Sequence, residues 1–152
     1  MFSVMKSLRF FLFLLLCVGS WGRAAFSAGA TPTPDAIPLI SGEQFQKVDQ
    51  SLAPVVLDFW AKWCAPCQVY SQVVSHVAKT FQNQITFYRI DVSDFSNDKR
   101  VQSYSIESLP TLIVVVRGKV VERWEGVLKD KDLKSKLNQV VKTWVNPTVS
   151  QP

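Results

Sequence analysis

The sequence predicts an α/β fold, with a mixed central sheet flanked by helices on both faces. Three observations predict it. Residues 55–60, Val-Val-Leu-Asp-Phe-Trp, are apolar at nearly every position, as suits a central strand covered on both sides. Apolar side chains recur at helical spacing over 64–81 and again over 130–145. Residues 111–117 and 119–124 are two β-rich runs joined at Gly118, a tight hairpin and so an antiparallel pair.

The elements follow in order. Residues 36–40 read as a short strand, with Pro38 inside it. Ser41 then caps a helix over 42–51, with Gln44 three residues on completing a capping box and Phe45 and Val48 on its inner face. Ala53-Pro54 stops it, and strand 55–60 leads into the long helix 64–81, whose Val69, Val73, Val77 and Phe81 step by four. Residues 85–91 are β-rich again, and a short helix over 97–104 follows the polar Asp94-Phe95-Ser96-Asn97 turn. The hairpin comes next, and an amphipathic helix over 130–145 closes the chain with Leu133, Leu137, Val140, Val141 and Trp144 facing inward. The order β-α-β-α-β-α-β-β-α places a reactive group beyond the carboxyl end of a central strand.

Ahead of the domain, residues 1–30 have the layout of a secretory signal. Lys6 and Arg9 precede an apolar centre, and small residues end at Ala28-Gly29-Ala30. The uncharged stretch 10–22 is 13 residues long, short of the ~20 needed to span a bilayer. An uncleaved membrane anchor is the alternative reading. Residues 31–36 are the linker, 37–146 the domain and 147–152 a tail. Without the signal, 14 basic residues face 12 acidic ones, so the +5 of the whole chain overstates its basicity. The basic residues are scattered among acids, which argues against nucleic-acid binding. Cys17 leaves with the signal, and Cys64 and Cys67 remain the only cysteines, a pair used for chemistry rather than for stapling.

Trp63-Cys64-Ala65-Pro66-Cys67 falls where strand 55–60 hands over to a helix. Free N–H groups and the positive dipole end there favour a thiolate on Cys64, and the C-x-x-C spacing lets Cys67 turn back and close a disulfide. The block from Asp58 to Cys67 resembles the thioredoxin signature. So does Tyr104-Ser105-Ile106-Glu107-Ser108-Leu109-Pro110-Thr111, which is similar to the cis-proline segment of that family and puts Pro110 43 residues after Cys67. Gly118 and Gly126 fall in step, and the resemblance spans nearly the whole of 37–145.

The resemblance implies a thioredoxin fold and a thiol–disulfide oxidoreductase that needs no cofactor beyond its own Cys64–Cys67 disulfide and no metal. It implies Cys64 as the exposed attacking thiolate, Cys67 as the more buried resolving thiol, and Asp58 as a buried carboxylate that accepts the Cys67 proton. Trp63, Ala65, Pro66, Leu109, Pro110 and Gly126 are the implied substrate-binding residues. His76, nine residues past Cys67, reads as an exposed or packing side chain. Four positions depart from the family pattern. Ala65 replaces a glycine, Gln72 a helix-kinking proline, Phe87 a lysine that pairs with the buried acid, and Glu125 an apolar groove residue. Without the lysine, Asp58 should be harder to ionise.

Three functions remain in view: an extracytoplasmic reductase, a disulfide oxidase or isomerase, and a binding module with an incidental dithiol. Ala65-Pro66 offers no charge to stabilise the thiolate, which favours the reductase. Expected partners are disulfide-containing proteins and a membrane-embedded thiol donor, because an exported dithiol stays oxidised unless electrons reach it. A monomer is expected, periplasmic or secreted, or else anchored to the membrane facing the periplasm.

Overall fold

The computed structural model describes residues 37–146, so the signal, the linker and the tail read from the sequence lie outside the described residues. Four strands form one sheet: β1 (Val55–Trp60), β2 (Thr86–Asp91), β3 (Thr111–Val116) and β4 (Lys119–Glu125). Their order across the sheet is β2-β1-β3-β4, with β1 parallel to β2 and antiparallel to β3, and β3 antiparallel to β4. Four helices accompany them: α1 (Gln46–Asp49), α2 (Ala65–Phe81), α3 (Asp98–Ser103) and α4 (Asp130–Trp144).

Alternation along the strands divides the core. Val56, Phe87, Leu112, Val114 and Trp124 face one side, where they pack with Tyr70, Val74 and Val77 of α2 and Leu133 and Leu137 of α4. Val55, Leu57, Phe59, Ile90, Ile113 and Val115 face the other and pack with Phe45 and Val48, with Val101 of α3 and Tyr104 just past it. The helices therefore cover both faces, as predicted. The hairpin turn puts Arg117 at φ +52° and Gly118 at φ +73°, the backbone of a two-residue turn whose twist matches that of the strands.

Several expectations change. Residues 37–40 form no strand: Leu39 makes one parallel bridge to Arg89, because Pro38 has no N–H to extend a ladder. The helix expected over 42–51 is a 3₁₀ turn, Gly42–Phe45, running into the four-residue α1. Half of the capping box forms, with the Ser41 N–H donating to Gln44 Oε1 at 3.1 Å. The helix expected over 97–104 likewise starts as a 3₁₀ turn, Phe95–Asn97, before α3.

On α2 the buried stripe is Cys67, Tyr70, Val74, Val77 and Phe81, and Val69 is exposed. A four-residue step overshoots a turn of 3.6 residues by about 40°, so a run of such steps drifts off the inner face. Trp144 is half exposed rather than inward, since it ends α4 beyond the buried stripe. With Gln72 where a proline would bend it, α2 runs unbroken for 17 residues.

Candidate functional site

The site forms where β1 ends. After Trp60 the chain turns through Ala61, whose carbonyl accepts from the Cys64 N–H at 3.1 Å. Cys64 then caps α2 with an extended backbone, and its Sγ accepts from the Cys67 N–H at 3.2 Å. Pro66 sits in the first turn, where its missing N–H costs nothing. Cys64 and Cys67 are joined by a disulfide, with Cα atoms 5.3 Å apart. The expected contrast in exposure is small: Cys64 is 5% exposed and Cys67 2%. Cys64 packs with Ala61, Leu109 and Trp60, which covers most of its surface. It nevertheless lines the neighbouring cleft, and Cys67 does not.

That cleft has a volume of about 630 Å³. Trp63, Cys64, Ala65 and Pro66 form one wall, Val92, Val101, Ile106 and Leu109 an apolar floor, and Glu107 and Ser108 part of the rim. Trp63 is 73% exposed, and its indole N–H donates to Ser93 Oγ at 3.1 Å. The Leu109–Pro110 peptide is cis. Thr111 Oγ1 donates to the Ser108 carbonyl at 2.8 Å, and the Gly126 N–H donates to the Pro110 carbonyl at 2.8 Å. Gly126 has φ +77°, a backbone that glycine adopts without strain. It supports the Pro110 segment from behind and is not among the cleft-lining residues.

Beside the cleft, Glu125 accepts from Ser108 Oγ at 3.0 Å, and its other oxygen lies 4.0 Å from Arg123 Nη1. The Arg123 guanidinium also donates to the carbonyls of Tyr104 and Ser105, bracing the loop before Pro110. His76 is exposed and meets Asp130 and Lys134, away from the dithiol.

Asp58 is 3% exposed and faces the α2 side of the sheet. Burial pushes its carboxyl up from 3.8 to about 6, against the opposing pull of Arg89. Asp58 is thus harder to ionise, as expected, but the pairing cation expected to be missing is present as Arg89. Phe87 stands opposite Val56 in the apolar core, whereas Arg89 stands opposite Asp58 and its Nε donates to Asp58 Oδ2 at 3.0 Å. Sequence reasoning missed Arg89. Its signal was a lone charge between Tyr88 and Ile90, on the same face of β2 as Phe87.

Comparison with known proteins agrees with this geometry. The family model described as Thioredoxin matches residues 37–139. A thioredoxin H-type of Fagopyrum esculentum is 37% identical over 89 residues, 59% of this chain and 74% of the relative. A thioredoxin of Pyropia yezoensis is 34% identical over 96 residues, 63% of this chain and 88% of the relative. Among solved structures, the thioredoxin of Malassezia sympodialis superposes with a TM-score of 0.60 at 27% identity, covering 72% of this chain and 91% of that one.

Proposed function

The chain belongs to the thioredoxin family and is a thiol–disulfide oxidoreductase, and from that premise we propose that it reduces protein disulfides outside the cytoplasm. The observation that carries this reading is the Cys64–Cys67 disulfide at the start of α2, with Cys64 on the wall of a cleft whose floor is apolar.

In the reduced protein, the Cys64 thiolate attacks one sulfur of a substrate disulfide and expels the other as a thiolate. Cys67 then gives its proton to Asp58 and attacks Cys64 Sγ. The mixed disulfide breaks, the second substrate sulfur leaves and is protonated, and the Cys64–Cys67 bond takes the place of the substrate's. Two electrons have passed to the substrate. A carboxyl that titrates near 6 is ionised at neutral pH and can take that proton. Trp63, Ala65, Pro66 and Leu109 border the path of the substrate chain, with the buried Pro110 setting Leu109 through its cis peptide and Gly126 bonded to Pro110 from behind.

The direction of flow rests on the uncharged Ala65-Pro66 pair, which gives the Cys64 thiolate no extra stabilisation. The expected potential is roughly −270 mV, and a value above about −180 mV favours the second reading, an oxidase or isomerase. Export rests on the signal-like residues 1–30, and it requires a membrane-embedded thiol donor. The acting unit is proposed to be a monomer. The decisive experiment traps partners in vivo with Cys67→Ser. Mixed disulfides with extracytoplasmic proteins are expected, and none with Cys64→Ser. A Cys64→Ser chain that keeps full function overturns redox catalysis in favour of a binding module.

A further inference from the structure

The cleft beside Cys64 is built from two parts of the chain. Trp63, Ala65 and Pro66 come from the turn into α2, whereas Ile106, Ser108 and Leu109 come from the loop between α3 and β3. That loop passes through Ser105 at φ +50°, a left-handed backbone that residues other than glycine seldom adopt. The N–H groups of Tyr104, Ser105 and Ile106 turn back to carbonyls of α3, at Arg100, Gln102 and Val101. The carbonyls of Tyr104 and Ser105 turn instead to β4. There the Arg123 guanidinium meets both, Nη1 donating to Ser105 at 3.3 Å and Nη2 to Tyr104.

Two residues along, on the same face of β4, Glu125 takes the far end of the loop. Its Oε2 accepts from Ser108 Oγ at 3.0 Å, and its Oε1 lies 4.0 Å from Arg123 Nη1. Glu125 stands where the resemblance leads to an apolar groove residue, and its two oxygens are turned to Ser108 and Arg123. The ladder fixes where these contacts fall, with Arg123 opposite Ile113 and Glu125 opposite Thr111 of β3, the strand the loop runs into.

We propose that Arg123 is a positioning residue for substrate binding, its guanidinium clamping the Tyr104 and Ser105 carbonyls to β4 so that the loop holds Ile106 and Leu109 along the substrate path. The inference rests on the reading of the cleft as that path. A planar guanidinium can meet two carbonyls at once, which a single ammonium nitrogen does poorly. Freed from it, the two carbonyls turn to water and Ser105 relaxes out of its left-handed backbone, carrying Ile106 and Leu109 along. Leu109 packs against Cys64, so the apolar floor beside the attacking sulfur then shifts. Cys64, Cys67 and Asp58 belong to β1 and to the start of α2, so the clamp acts on binding and not on the sulfur chemistry.

The test uses the full chain, reduced beforehand, and a synthetic peptide disulfide with leucine on either side of its cysteine. Single-turnover rates against peptide concentration give a half-saturating concentration and a limiting rate. Arg123→Met should raise the first about tenfold, as suits the loss of a charge-assisted bond, and change the second less than about twofold. Arg123→Lys, which keeps one donor, should raise the half-saturating concentration only about threefold. Ser108→Ala should raise it about threefold, whereas Glu125→Gln keeps an acceptor for Ser108 and should stay within about twofold of the parent. A small aromatic disulfide, too short to reach the loop, reports the chemistry alone, and Arg123→Met should reduce it within about twofold of the parental rate. If Arg123→Met does not fold, Arg123→Lys and Ser108→Ala carry the same comparison. An unchanged half-saturating concentration, or an equal fall in limiting rate on both disulfides, overturns the proposal. A parent protein that shows no saturation with the peptide overturns instead the reading of the cleft on which it rests.

Discussion

Asp58 shows what a buried carboxyl costs the fold. Its folded titration point, about 6, lies above its ordinary 3.8, so the folded chain binds this proton more tightly than the unfolded one. The stabilisation from protonating it is complete below about pH 3.8 and is lost as pH rises through about 6. At neutral pH the ionised form therefore costs about 3 kcal/mol, at 1.36 kcal/mol per pH unit. Asp58→Asn is expected to raise stability at pH 7–8 by up to this amount and to flatten the difference between pH 4 and 7. Urea unfolding of both chains across that range checks it, and parallel curves would refute it. Cys64 and Cys67 were legible in the sequence because their spacing at the turn after one strand is local, and Asp58 through the resemblance of the block that holds them. Arg89 was not, because its partner is set by the register of β2 on β1, 31 residues away in sequence.

At the level of single elements, burial decides which apolar residues matter. Leu137 on α4 is fully buried between the sheet and α2, so Leu137→Ala should cost about 2–5 kcal/mol. Val69→Ala, on the exposed side of α2, should stay within about 0.5 kcal/mol. Chemical denaturation of the two variants separates these values, and similar losses would restore the four-residue stripe through Val69. The strands and long helices were legible because their patterns persist over many residues. The 3₁₀ starts at Gly42 and Phe95 were not. In a segment of one or two turns, a single cap or glycine outweighs periodicity.

For the whole molecule, the disulfide encloses so short a loop that the fold does not depend on it. Cys64 and Cys67 are three apart in sequence, and closing so small a ring limits the loss on reduction to about 2 kcal/mol. Both cores lie on the sheet faces, built from side chains of separate segments. The reduced chain should keep its far-UV circular dichroism and unfold cooperatively at a slightly lower denaturant midpoint; a molten reduced form would contradict this. The backbone contacts of Arg89 also bear on crowding and solubility. An open four-stranded sheet has two edges onto which another chain could crystallise into a growing ribbon. At β2 the segment around Leu39 occupies the edge, its Pro38 carbonyl and Ile40 N–H bonded to the backbone of Arg89. At β4, Lys119, Glu122, Arg123 and Glu125 would have to be brought up against a neighbouring strand. The same short segment that fixes Arg89 thus works with the charges of β4 as a guard against aggregation, and keeps the sheet at four strands.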